Sequence, residues 1–271
     1  MTSHHLLDDD HERRFGGLDR LYGDGSRFLL HGGRIAVIGV GGVGSWAVEA
    51  LARSGIGHLT LIDMDHVAVS NVNRQVQALE STLGQSKISA LQHRIRDINP
   101  VCRVNVIDDF LSEENIARLV PAGTYDMVID ACDDARAKIA LIVHAHRLGI
   151  PLIVCGAAGG KDNPLNLRVD DLARVTHDAL LARMRTKLRK ERLILPRKNG
   201  KFGVECVYLE EPSRRNTECT IGNLSCAGFG SVVTVTAAMG LVAASLCLKR
   251  ITSIQNQGNS PTGSKGSLGV T

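Results

Sequence analysis

Short runs of Val, Ile and Leu alternate along the first half of the chain with stretches whose apolar residues recur every three or four positions. The runs at 34–39, 58–63, 103–108, 125–130 and 151–155 read as strands, and residues 43–54, 86–98 and 135–148 carry helix spacing. Gly55 is placed to cap the first of these helices and Pro100 to stop the second. Strands that alternate with helices predict a mostly parallel sheet with helices on both faces. Past Gly156 the pattern changes, because "GAAGGKDNPLNLRVDDLARVTHD" is rich in turn formers. No internal repeat is visible.

Two later stretches depart from this alternation. Residues 219–248 hold no charge, and 228–248 are apolar enough to be weighed as a membrane span. Gly228, Gly230, Ser231, Thr234, Thr236, Gly240 and Ser245 make close packing in a core or subunit interface the expected use, with peripheral or membrane association left as the alternative. Between Arg183 and Lys201 nine Lys or Arg residues face one acid, Glu191. Leu180, Leu181, Met184 and Leu188 form a narrow apolar stripe there, while Arg183, Arg185, Lys187, Arg189 and Lys190 occupy the other faces and Arg192 follows. Such a helix is either a solvated surface or a surface that tracks phosphates.

Composition narrows the class only a little. Hydrophobic residues at 44% and charged residues at 22% are ordinary for a soluble α/β protein, and a net charge of +4 says nothing by itself about nucleic acid. Seven cysteines include no C-x-x-C pair, which argues against a disulfide framework and a ribbon-type zinc site and points to a reducing, cytoplasmic setting. The opening "MTSHHLLDDDHERRFGG" is polar, so no secretory signal is expected, and His4, His5 and His11 are expected to be mobile.

The chemistry gathers after the first strand. Gly39-Val-Gly41-Gly42-Val-Gly44 satisfies G-x-G-x-x-G between a strand and a helix, so amides at the helix start face phosphate oxygens with no Cβ in the way. Asp63 follows nineteen residues after Gly44, at the end of the second strand, where a carboxylate meets ribose hydroxyls. A dinucleotide and ATP fit equally well to this point. Asp65, then Ser70-Asn71-Val72-Asn73-Arg74-Gln75, then Lys87 supply the cations and polar groups that a triphosphate needs. Arg74 pairing with Asp65, and Lys87 as ordinary surface charge, are the plainer alternatives. In "VIDACDDAR", Asp130 and Asp133 are expected beyond the carboxyl end of the sheet, suited to magnesium beside phosphates, and Asp130 or Asp134 to cap the next helix.

Taken together, residues 34 to 156 resemble the adenylating enzymes of the ThiF/MoeB-like superfamily, which activate ubiquitin and bacterial sulfur carriers. The resemblance implies a Rossmann-like adenylation fold with a C-terminal extension, using ATP and Mg2+. It implies Gly39, Gly41, Gly42 and Gly44 at phosphate, Asp63 at ribose, and Ser70, Asn71, Asn73, Arg74 and Lys87 around the triphosphate. Asp65 belongs to the same pocket, and Asp133 to magnesium and phosphate, with Asp133, Arg74 and Lys87 the catalytic set.

"RFGGLDRLYG", "GIGHLTLIDMD", "INPVCRVNVIDDF", "KFGVECVY" and "CAGFGSVVTVTAAMGLVA" extend the likeness over almost the whole chain to the tRNA threonylcarbamoyladenosine dehydratase family. That family uses ATP to adenylate the carboxylate of threonylcarbamoyladenosine beside the anticodon and closes a ring with loss of water. Arg183, Arg185, Lys187, Arg189, Lys190 and Arg192 then become the expected tRNA-binding set. The alternative is adenylation of the C-terminus of a ubiquitin-like sulfur carrier, against which the missing C-x-x-C pairs stand. A homodimer is implied, with Arg14 or Arg20 reaching the partner's nucleotide. Cys226 is expected to be structural or a contact for a sulfur-relay protein rather than a nucleophile, since nothing adjacent lowers its pKa. The implied organisation is an N-terminal helical segment at 1–33, an ATP-binding core at 34–160, a substrate and dimer part at 161–251 and a disordered tail at 252–271.

Overall fold

The computed structural model describes residues 9–214 and 229–258. His4, His5, Cys226 and the chain beyond Gly258 lie outside the described residues. Three short helices, α1 (Asp9–Phe15), α2 (Gly17–Tyr22) and α3 (Ser26–Gly32), lead into β1 (Arg34–Ile38). Then follow α4 (Gly42–Arg53), β2 (His58–Ile62), α5 (Lys87–Ile98), β3 (Arg103–Ile107), α6 (Ile116–Leu119), β4 (Met127–Asp130), α7 (Ala135–Leu148) and β5 (Leu152–Cys155). The later half contributes β6 (Leu167–Asp171), α8 (Ala179–Lys190), β7 (Glu205–Leu209) and α9 (Val233–Gly258).

Among the described residues one seven-stranded sheet runs in the order β3-β2-β1-β4-β5-β7-β6, with only β6 antiparallel to its neighbour. The central strands are continuous apolar runs because helices cover both faces. In β1 and β2 every residue after the first is buried. Strand order reverses between β1 and β4, which pair directly from Ile35 with Met127 to Ile38 with Asp130. Ligands of open α/β sheets bind outside the carboxyl ends of strands at such a reversal.

The structure changes two expectations about the C-terminal half. β6 and β7 extend the same sheet, so residue 160 marks no break in the core; their short sequences lie in turn-rich and basic surroundings that hide them. The helix that begins at Val233 continues to Gly258, past the expected start of disorder at residue 252. α9 is long and apolar enough to cross a membrane, yet half of its apolar window is buried in this fold. It packs on α4 through Gly240, where a Cβ would lie 2.8 Å from both Ala47 N and Trp46 Cβ. His11 is also not mobile: it is 2% exposed, with its ring 4.9 Å from Phe15 and 5.3 Å from His31.

α4 and α5 are clamped by a nearly buried carboxylate. Glu49 accepts from Arg94 Nε at 2.6 Å and Nη2 at 3.0 Å, and from Arg53 Nε at 2.7 Å. Burial pushes the Glu49 carboxyl up, but hydrogen bonds and charge from Arg94 and Arg53 outweigh it and hold the pKa below its ordinary 4.5. A carboxylate lowered in this way contributes stability above its unfolded pKa and loses it as pH falls through the folded one. Glu49→Gln is therefore expected to cost about 1–3 kcal/mol at neutral pH by denaturant titration. The gap to the unaltered protein should narrow below pH 4.5; a gap unchanged with pH would refute the charge-based account.

Candidate functional site

The site is built on contact between two turns. Gly39 ends β1 with φ of 79°, a left-handed value that favours glycine. A Cβ on it would lie 2.8 Å from Cys132 N and 2.9 Å from the carbonyl carbon of Ala131. The peptide after β4 therefore lies directly against the loop after β1. A Cβ on Gly44 would collide with the Gly39 carbonyl oxygen, and one on Gly42 would meet Thr236 Cγ2 at 3.0 Å. Gly41 is open, its nearest neighbour being Gln75 Nε2, 3.8 Å from the Cβ position. No side chain caps the start of α4. Its first-turn amides thus face outward as an anion site.

Asp63 holds this loop in shape. Its Oδ2 accepts from Val40 N and its Oδ1 from Asp65 N, each at 2.8 Å. A carboxylate has further lone pairs, so both bonds leave acceptor capacity for ribose hydroxyls. Beneath the loop, buried Gln77 donates to the Val40 carbonyl at 3.0 Å and to Gln75 Oε1 at 3.1 Å.

The segment from Ser70 to Lys87 brings the cations in. Arg74 does not pair with Asp65; its Nη1 donates to Ser70 O at 2.6 Å and to Asn73 Oδ1 at 3.0 Å. The Arg74 stem lies against the glycine loop, with Cδ 3.5 Å from the Cβ position of Gly42. Trp46 Nε1 and Thr236 Oγ1 both donate to the Arg74 carbonyl, at 3.0 and 3.2 Å, and Asn73 Nδ2 donates to Ser231 O at 2.8 Å. Asn71 is buried and accepts from Ala68 N at 3.0 Å. Lys87 takes the partner that Arg74 does not. Its side chain is 7% exposed and its Nζ lies 2.7 Å from Asp65 Oδ2, while Asp65 is 66% exposed. Burial of Lys87 excludes ordinary surface charge. An enclosed ammonium needs an anionic partner, so a phosphate would have to take the place of Asp65 or join it.

After β4 the two expected carboxylates part company. Asp130 does not face the pocket: it is fully buried and paired with Lys138 at 2.9 Å. Asp134 caps α7, accepting from Arg136 N at 2.6 Å and Ala137 N at 3.1 Å. Asp133, between Cys132 and Asp134, is exposed. Among the described residues no group of three or more His, Cys, Asp or Glu side chains could hold a metal ion. Magnesium typically binds through one or two carboxylates and substrate phosphates, and Asp133 beside the phosphate loop fits that donor set.

Sequence reasoning missed Trp46, Gln77, Thr236 and Lys138. Lys138 carried a legible signal, since it shares a helix face with Leu141, Ile142 and Ala145, all buried. Thr236 carried none, because it reaches the site from the other end of the chain.

Of the expected tRNA-binding residues, Arg183, Arg189, Lys190 and Arg192 are exposed. Arg185 is not available: its Nη1 donates to Leu172 O at 3.2 Å and Val175 O at 2.6 Å. Lys187 lies 4.0 Å from Glu191. α8 starts at the carboxyl edge of the sheet, where Asp178 accepts from Ala157 N at 2.9 Å, and ends near Phe202, over whose ring Arg189 lies at 5.4 Å. Phe202 is tied to Asp171 at the opposite edge. Arg14 is engaged with Asp10 at 2.7 Å, whereas Arg20 is exposed and forms no ion pair with the described residues. Burial pushes the Cys102 and Cys155 thiols up to about 12 and raises Cys132, Cys206 and Cys247 as well, so none of the five is a poised nucleophile.

Residues 18–265 match the ThiF family. The chain is 44% identical over 258 residues to the tRNA threonylcarbamoyladenosine dehydratase of Escherichia coli (strain K12), covering 91% of this chain and 96% of that protein. The crystal structure of the E. coli tRNA N6-threonylcarbamoyladenosine dehydratase in complex with ATP superposes with a TM-score of 0.86 at 43% identity, covering 93% of this chain and 99% of that one. Likeness to the molybdopterin-synthase adenylyltransferase of Haemophilus influenzae (strain ATCC 51907 / DSM 11121 / KW20 / Rd) is narrower, 33% over 129 residues, or 48% of this chain and 52% of that protein.

If Lys87 serves the triphosphate, Lys87→Met weakens ATP binding about tenfold, equivalent to about 1.4 kcal/mol, in a calorimetric titration. An unchanged Kd would remove Lys87 from the site.

Proposed function

The chain belongs to the ThiF family, and from that premise we propose that it uses ATP to dehydrate threonylcarbamoyladenosine in tRNA, closing the side chain into a ring. The observation that carries this reading is end-to-end likeness to a dehydratase, joined to a glycine loop flanked by Arg74, Lys87 and Asp133. An enzyme adenylating a ubiquitin-like carrier shares only about half of this chain, and the C-x-x-C pairs of sulfur-carrier activators are missing.

In the proposed mechanism the open amides from Gly41 to Gly44 hold phosphate and Asp63 holds ribose. Arg74, Lys87, Asn71, Asn73 and Ser70 surround the triphosphate. Asp133 would hold a magnesium ion, which supplies neutralising charge on the phosphates. A carboxylate oxygen of the threonylcarbamoyl group bonds to the α-phosphorus, and the bond to the bridging oxygen breaks to release pyrophosphate. An internal nitrogen then attacks the acyl carbon, losing its proton as AMP leaves. The substrate oxygen that would have left as water departs in AMP. No cysteine acyl-enzyme is needed, consistent with the raised pKa of the five described cysteines.

We assign the exposed basic residues Arg183, Arg189, Lys190 and Arg192 to tRNA phosphates. The helix that carries the first three and leads into Arg192, twelve residues and about 18 Å long, runs from the carboxyl edge toward the opposite edge of the sheet. A ligand touching both its far end and the nucleotide pocket has to be of macromolecular size, which suits tRNA. In a homodimer, Arg20 is better placed than Arg14 to reach a partner's nucleotide, because Asp10 already engages Arg14. The proposed setting is cytoplasmic, with α9 serving the core rather than a bilayer; a sulfur-relay contact at Cys226 remains part of the proposal.

Pyrophosphate exchange into ATP tests the activity: exchange should require tRNA bearing threonylcarbamoyladenosine. Exchange supported instead by a carrier protein with a free C-terminal glycine would give the alternative. For the RNA surface, the slope of log K against log salt should flatten by about 0.7–0.9 for each of Arg183→Ala, Lys190→Ala and Arg192→Ala. Arg185→Ala should leave that slope unchanged, and equal slopes for all four would move the tRNA site elsewhere.

A further inference from the structure

Lys138 heads the largest fully enclosed side chains of the described fold, and nothing in the reaction uses it directly. Its Nζ lies 2.9 Å from Asp130 Oδ1, 3.2 Å from Asp130 O and 2.9 Å from Cys155 O. A lysine ammonium has three donors, and these acceptors take all three. The same Asp130 Oδ1 also accepts from Cys132 N at 3.2 Å and from Cys132 Sγ at 3.0 Å. One ammonium thus ties the ends of β4 and β5 to α7 and, through Asp130, fixes the peptide that presses on Gly39.

Asp133 occupies the single position between two anchors. Cys132 is held by Asp130, and Asp134 is held by the amides of Arg136 and Ala137. A buried ion pair is a poor means of gaining stability, since apolar residues of similar volume serve as well or better. Placement of a neighbouring group is what it does here. We propose that the Lys138–Asp130 pair positions Asp133 for the metal-bound triphosphate, making Lys138 a positioning residue of the site. The proposal rests on Asp133 being the magnesium carboxylate.

Calorimetric titration of ATP into the full chain, with and without magnesium, tests this with no tRNA present. In the unaltered protein magnesium should tighten ATP binding about tenfold. Asp133→Ala should abolish that gain; a retained gain would refute the assignment of Asp133 itself. Lys138→Met alone strands a buried carboxylate and destabilises the fold, so the informative change is Lys138→Met with Asp130→Asn, which removes both charges. That double variant should unfold cooperatively and still bind ATP without magnesium, though more weakly because the peptide against Gly39 is loosened, and should lose most of the magnesium gain. Full gain in the double variant, with none in Asp133→Ala, would overturn the positioning role and leave the pair merely structural. Lys138→Arg keeps the cation but splays its donors, and should fold with part of the gain lost. Should the double variant not fold, full gain in Lys138→Arg overturns the proposal equally.

Discussion

Two turns press together at the carboxyl edge of the sheet, and the rest of the site depends on that contact. The loop after β1 and the peptide after β4 approach so closely that Gly39 leaves no room for a Cβ beside Ala131 and Cys132. Direct pairing of β1 with β4, where strand order reverses, makes this approach possible. No side chain caps the first amides of α4, and Cys132, the residue before Asp133, takes part in the same contact. Asp63 completes the arrangement by holding both the glycine loop and Asp65, the partner of Lys87.

Charges around this contact divide by burial into groups with different work. Lys138 with Asp130, and Lys161 with Asp178, are wholly enclosed and hold strand ends and loops together. Such pairs shape a site because each charge also binds backbone groups of the neighbouring strand ends and loops. In the Lys87–Asp65 pair the cation is enclosed and the acid is open to water, so Lys87 is held in place while Asp65 is the member free to turn away. Asp133 is open to solvent, as the proposed role in holding a cation requires.

The C-terminal half acts on the site from two directions. β7 and β6 continue the sheet, and behind β5 the Lys161–Asp178 pair fixes the turn-rich loop that follows Gly156. From the other side α9 packs on α4, and its Thr236 hydroxyl and the preceding Ser231 carbonyl hold Arg74 and Asn73 in place. An apolar segment that resembles a membrane span by composition thus supports the segment carrying Arg74.

Periodicity and glycine spacing alone determined the alternation of strands and helices as far as β5, the glycine loop after β1 and the carboxylate at the end of β2 that holds it. These are local properties, set by apolar spacing, by the Cβ-free approach at Gly39 and Gly44, and by the one helix and one strand that separate Gly44 from Asp63. Tertiary structure alone decided which cation meets which acid. Lys87, Arg74, Asp65, Asp130, Asp133 and Asp134 look interchangeable in sequence, and only burial separates a paired lysine, an enclosed carboxylate, a helix cap and a free carboxylate. β6 and β7 were hidden for a related reason: their strands are completed by pairing with distant partners, which no window along the chain contains. Arg185 shows the same limit, because a helical arginine reads as solvated until the Leu172 and Val175 carbonyls fold against it.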